Sequence, residues 1–220
     1  MSAAFDRSAS PASAGGGTRW SSELAYPAEP DDATTHNARM TEPTIRARVQ
    51  SNLEFRWTAL IRSRLEGITD EEYLWEPAAG CLTVRPDGTG GYTLDPVRPP
   101  EPPLGNIAWR MAHLAFSLSA HPVAAAAFGP AWPMAELAAP AGTAGEAIAR
   151  LDGAYAHWHG AVATLSDVDL DRRLGPAAGA YAESTVLDLV FHIQAEALQR
   201  GADVCLLRDL YWHLHGLRTQ

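Results

Sequence analysis

From Ser184 to about Trp212 apolar residues recur at the spacing of one unbroken helix, and Leu187, Leu189, Val190, Ile193, Ala197 and Leu198 cover nearly every side of it. A helix apolar on so many sides must be buried against other helices. The chain supplies three more. From Thr44 to Glu66, residues Ile45, Val49, Leu53, Trp57, Leu60, Ile61 and Leu65 keep helical spacing up to a stop at Gly67. Asn106 to His121 reads as a second long helix, ended by Pro122. "TAGE" (Thr143 to Glu146) is a capping box that starts a third, running through Ile148, Leu151, Tyr155, Trp158 and Val162 to about Leu165. Ser184 caps the fourth. Four long helices with substantial connections predict an all-α four-helix bundle.

The connections carry their own patterns. "TDEE" (Thr69 to Glu72) is a second capping box, opening a short turn with Tyr73, Leu74 and Trp75. Residues 76–104 are rich in proline and glycine, and "CLTVRPDGTGGYTLD" within them predicts two short strands around a Gly-rich turn. This hairpin falls between the first and second long helices, and a loop of that length is expected to be functional and to lie near one end of the bundle. Residues 129–142 read as loop. Residues 1–39 are dominated by small residues, Gly and Pro without apolar periodicity. They predict a disordered leader ahead of a 40–220 domain, with Met40 as the natural start or the leader as a dispensable tail.

At 220 residues the chain can build one domain with a sizeable core. A formal net charge of −9, with 17 basic residues that form no run, argues against nucleic acid and anionic membrane as partners. The two cysteines, Cys81 and Cys205, are too few and too far apart for a disulfide framework. No stretch approaches 18 consecutive apolar residues, and the N-terminus lacks the pattern of a secretory signal. The expectation is a reduced, cytoplasmic, soluble protein.

Asp188, His192, Glu196 and Arg200 recur every fourth residue along the fourth helix, a continuous polar stripe among apolar neighbours. Buried charges must be paired or bound to a metal. His113, in "WRMAHLAF" on the second helix, is a lone imidazole that would face this stripe. Carboxylates and imidazoles on facing helices build bundle-core metal sites. The plainer alternatives are a helix ion pair between Glu196 and Arg200 and a hydrogen-bonded core histidine at position 113. "HWH" (His157 to His159) splits its rings across two helix faces, and "HLH" (His213 to His215) falls at a fraying terminus. There is no P-loop, dinucleotide fingerprint, nucleophile elbow or paired CxxC motif.

With "TDEEYLWEPAAGCLTVRP", "IAWRMAHLAF" and "LVFHIQAEALQRGADVCLLRDLY" in view, the chain resembles the DinB superfamily over about residues 45–212, in particular an actinobacterial branch related to mycothiol-dependent transferases and isomerases. The resemblance implies a four-helix bundle, often dimeric, with a metal pocket at one end under the long loop and no DNA binding. It implies a divalent metal such as zinc or nickel, held by a histidine of the second helix and two residues four apart on the fourth. It further implies a low-molecular-weight thiol, such as mycothiol or bacillithiol, brought to that metal.

Carried onto this chain, the ligand positions fall on His113, Glu196 and Arg200. Relatives typically read "H…E…HHGAE" here; this chain has His192, Glu196 and then "QRGAD", with Gln199 and Arg200 in place of two adjacent histidines. Arginine offers a metal no lone pair and its cation repels one. His113, His192 and Glu196 would make an alternative two-His-one-carboxylate site. Without a metal, Arg200 would pair with Glu196 and present a fixed positive charge to an anionic or enolate-like group, leaving His113 and Glu196 for proton transfer.

Three functions follow as expectations. The first is a mycothiol-dependent S-transferase or isomerase acting on an electrophilic small molecule. The second is a metal-independent isomerase, cyclase or lyase of specialised metabolism built on His113, Glu196 and Arg200. The third is a non-catalytic binder of small ligands. A homodimer is expected in each case.

Overall fold

A computed structural model describes residues 43–97 and 104–216, which belong to the unit Glu42–Gln220. The leader and the Met40 start lie outside the described residues. The helices begin where short polar side chains cap them. Thr44 accepts from the amide of Ala47 to open α1 (Ile45–Arg56), and Thr69 accepts from Glu72 to open the short α2 (Asp70–Leu74). Strands β1 (Val84–Pro86) and β2 (Tyr92–Leu94) form the expected hairpin, pairing Val84 with Leu94 and Pro86 with Tyr92. Asn106 opens α3 (Ile107–Ser119) by accepting from the Trp109 amide. The segment expected as loop contains α5 (Ala135–Ala138), preceded by α4 (Ala124–Phe128). Thr143 caps α6 (Ala144–Ala163), and α7 (Asp167–Asp171) follows. The longest helix, α8 (Val186–Leu214), is capped by Thr185, one residue after the expected Ser184, and ends two residues past Trp212.

The first long helix is not uniform. After Arg56 it widens into a π-helical turn over Trp57–Ile61 and then tightens into a 3₁₀ turn over Arg62–Leu65. The wider turn changes which side chains face inward: Ile61 is buried, whereas Leu60, expected in the core, is half exposed. The inserted turn sits where α8 comes nearest. A methyl group on Gly201 of α8 would lie 2.5 Å from Ile61 Cδ1.

Side-chain contacts fix the direction of each long helix. Gln50 meets His159, Trp57 stacks on Tyr155 at 4.3 Å, and Arg62 pairs with Asp152, so α1 and α6 run antiparallel. Gln194 donates to the Val49 carbonyl and Arg64 pairs with Asp209, so α8 runs parallel to α1. His121 meets His192 while Arg110 pairs with Asp203, so α3 and α8 are antiparallel. It follows that α3 and α6, which also pack together, are parallel. The bundle is therefore up-down-down-up, and residues 120–143 carry the chain back along its length.

Two capping boxes form, Ser166 with Asp169 and Thr185 with Asp188. The boxes expected at Thr69 and Thr143 are only half made: each threonine takes the amide, and no glutamate returns the bond. Glu72 is engaged elsewhere. Its carboxylate receives Arg208 of α8 at 2.6 and 3.2 Å, and the two residues are only 2% and 1% exposed. Arg208 also donates to the carbonyls of Arg64 and Glu66 and lies 4.6 Å from the Trp212 ring. The buried guanidinium is thus enclosed by acceptors, as a buried charge requires.

By length and composition the stretch Ile107–Phe128 is apolar enough to cross a membrane. In the fold it is broken at Ala120 and Pro122, and α3 buries ten of its 13 residues within the bundle. The hairpin is tied to the start of α3, where Asn106 donates to the Thr83 hydroxyl at 2.7 Å and Trp109 to the Asp95 carbonyl at 3.1 Å.

Candidate functional site

The predicted site residues meet along the seam between α3 and α8. Because the helices are antiparallel, eleven residues on one match eleven on the other. Arg110 faces Asp203 at the hairpin end, and His121 faces His192 at the far end, roughly 16 Å away at the rise of an α-helix. Between them His113 shares its surroundings with Glu196 and Arg200.

Exposure separates the four stripe residues. Asp188 and His192 are exposed, while the Glu196 and Arg200 side chains keep only 24% and 19% of their surface. The expectation of a fully buried stripe is therefore corrected: the apolar pattern of α8 extends onto surface positions such as Phe191 and Leu206. Asp188 leaves the stripe altogether. Its carboxylate accepts from the Thr185 amide at 2.7 Å and hydroxyl at 2.8 Å, and these bonds hold its pKa below the usual carboxylate range.

Arg200 is the hub of the middle cluster. It lies 3.3 Å from Glu196 and 3.8 Å from Asp203, which also receives Arg110 in a close ion pair. Its Nε is buried and makes no hydrogen bond among the described residues. His113 packs edge-on against Trp109, with ring centroids 5.0 Å apart. Burial lowers the His113 pKa, the Arg200 cation lowers it further, and Glu196 opposes both. A half-buried imidazole held neutral beside a fixed cation is a proton acceptor next to an anion holder.

His192 has a different ring partner. Its ring meets His121 at 5.6 Å, at the edge of a cavity of about 200 Å³ beneath the segment from Leu174 to Ser184. That cavity lies at the opposite end from the hairpin. Residues 98–103 of the long loop, under which the resemblance places a pocket, lie outside the described residues. The three donors His113, His192 and Glu196 are not gathered: among the described residues, no group of three or more His, Cys, Asp or Glu side chains converges so as to hold a metal ion. The residues present do not fit a divalent ion in this arrangement, since Arg200 occupies the face of Glu196 and His192 is engaged with His121.

The DinB superfamily profile matches residues 52–202, from the middle of α1 to the middle of α8, and so spans every residue of the seam except Asp203. The chain belongs to the DinB superfamily. No curated protein and no solved structure matches it. Within this DinB bundle, the other histidines behave as their spacing implied. His157 contacts the Trp132 carbonyl, His159 reaches Gln50 on a different face, and His213 and His215 are exposed at the end of α8.

Three seam residues were absent from the sequence reading. His121 lies eight residues beyond His113, a spacing that repeats one helix face, but it follows the last turn of α3 and precedes Pro122. Arg110 and Asp203 lie three residues from His113 and Arg200, and each has the ordinary spacing of a surface charge. Only the register of α3 against α8 makes them partners.

Proposed function

We propose that this DinB-superfamily protein is a small-molecule enzyme of the isomerase or transferase type, in which the cluster His113, Glu196 and Arg200 performs proton transfer on a substrate bearing a carbonyl group. The observation that carries the reading is Arg200, a cation held by two carboxylates whose buried Nε still lacks a partner, beside an imidazole kept neutral by burial. His113 takes a proton from the carbon next to the carbonyl. The electron pair moves onto the carbonyl oxygen, and Arg200 binds the enolate oxygen so formed. Return of the proton to a different carbon completes an isomerisation with atoms and charge balanced. Glu196 and Asp203 hold the guanidinium in place, and His192 stands outside the proton path.

The altered motif belongs to this proposal: Arg200 stands where relatives of the actinobacterial branch place a histidine ligand. A mycothiol-dependent form of the same chemistry rests on the family resemblance, as does the homodimer. Turnover of a panel of carbonyl compounds, with and without mycothiol and with and without chelator, tests the reading. Expected is activity that survives chelation and falls at least a hundredfold in His113→Ala and tenfold or more in Glu196→Gln. Activity unchanged in His113→Ala would sink the assignment. A strict requirement for mycothiol would select the thiol-dependent form.

A further inference from the structure

The cavity between His121, His192 and the Leu174–Ser184 segment uses none of the residues assigned to proton transfer. Its inner wall is apolar, from the buried Leu174 and Leu189 and the half-buried Val123. The edge-to-face pair of His121 and His192 adds two aromatic surfaces. Four residues with polar side chains are among those lining the cavity: His121, His192, Tyr181 and Ser184. None of these side chains hydrogen-bonds another protein group among the described residues, and His121 Nδ1 is buried without a partner.

We infer that this cavity is a binding site for a small uncharged molecule, about one aromatic ring in size, that carries one hydrogen-bonding oxygen. The size follows from the volume: about 200 Å³ accommodates roughly seven to ten non-hydrogen atoms. The ring follows from the imidazole and aliphatic lining, against which a flat apolar face packs. The single oxygen follows from the polar side chains among the lining residues, each of which can donate one hydrogen bond. The absence of net charge follows from Asp188, which also lines the cavity and stays ionised because the capping bonds stabilise its carboxylate. No Lys or Arg is among the lining residues to balance an anion. A pocket of mostly apolar lining with a few convergent polar groups is the usual form of a small-molecule site. Tyr181 and His192 are exposed, so the cavity they line is open to solvent.

Ligand-observed NMR titration of the full-length protein tests this with acetophenone as the probe, ethylbenzene as its oxygen-free counterpart and benzoate as its charged one. Acetophenone is expected to bind saturably in the millimolar range or below at pH 8, with ethylbenzene and benzoate at least tenfold weaker. Tyr181→Phe and Ser184→Ala should each weaken acetophenone threefold to tenfold, and Leu174→Trp, which fills the cavity, should abolish binding. Circular dichroism of each variant separates lost binding from lost fold, and the two conservative variants carry the test where Leu174→Trp does not fold. Arg200→Met should leave the acetophenone affinity within twofold. Equal affinity for acetophenone and ethylbenzene, or no saturable binding, would overturn the inference. Loss of binding in Arg200→Met with no effect in Tyr181→Phe would place the ligand at the other cluster and overturn it equally, without touching the proton-transfer reading.

Discussion

Arg200 and Asp188 show how identical spacing can conceal different roles. Both belong to the every-fourth-residue stripe on α8, yet Asp188 is spent on closing the first turn and Arg200 lies about three turns further along, between carboxylates. A residue at the third position of a helix and one in its core have the same periodicity, so the stripe alone could not separate them. The identity of Arg200 carries a direct test. Arg200→His removes the cation and offers an imidazole four residues from Glu196 and across the seam from His113. The variant is expected to take up about one equivalent of zinc by elemental analysis, against a substoichiometric amount in the unaltered protein. No gain of metal would mean that the position is not an inherited ligand position. His113, Glu196 and Arg200 were all legible as candidates because their chemistry is unusual among apolar neighbours. His121 was not, because as the last residue of the predicted second helix, just before Pro122, it read as a helix end, and its partner His192 is visible only once α3 and α8 are in register.

At the level of elements, the starts of α1, α3 and α6 were readable because a cap is local: Thr44, Asn106 and Thr143 each take an amide three residues on. Glu72 was misread for the complementary reason. "TDEE" satisfies the capping pattern, but a buried guanidinium 136 residues away claims the carboxylate, and no window of sequence contains both. The π turn at Trp57–Ile61 was equally hidden, since an extra residue in a turn leaves no composition behind. Its fit against α8 can be measured. Gly201→Ala adds a methyl group 2.5 Å from Ile61 Cδ1 and 2.7 Å from its Cγ1, and Ile61 is buried and β-branched. Overpacking costs about 1–3 kcal/mol and the better helix propensity of alanine returns up to about 1, so a net loss of about 1–2 kcal/mol is expected in urea unfolding. Ile61→Val in the same chain should recover part of it. Additive effects of the two substitutions would show that the helices do not touch at this point.

Across the whole molecule the order of the helices was beyond sequence reading. Periodicity supplied four helices, but their up-down-down-up arrangement depends on which faces meet, as in Gln194 with Val49 and His121 with His192. The pair Arg208–Glu72 locks that arrangement at the hairpin end, joining the last turns of α8 to the corner that follows α1. Arg208→Met leaves Glu72 buried and unpaired, which costs about 3–5 kcal/mol and lowers the melting temperature by about 10 °C. Adding Glu72→Met should restore much of the loss, because a matched apolar pair removes both charges from the interior. A melting temperature unchanged in Arg208→Met would mean that the pair is not buried in solution. The same arrangement governs how the chain assembles. α8 is made after the other three long helices of the bundle, and it packs against both α1 and α3. Until it emerges, α6 covers one side of those two helices and the faces they turn toward α8 have no cover. The bundle therefore closes through contacts between distant parts of the chain, and the newborn protein is most prone to aggregate just before α8 arrives.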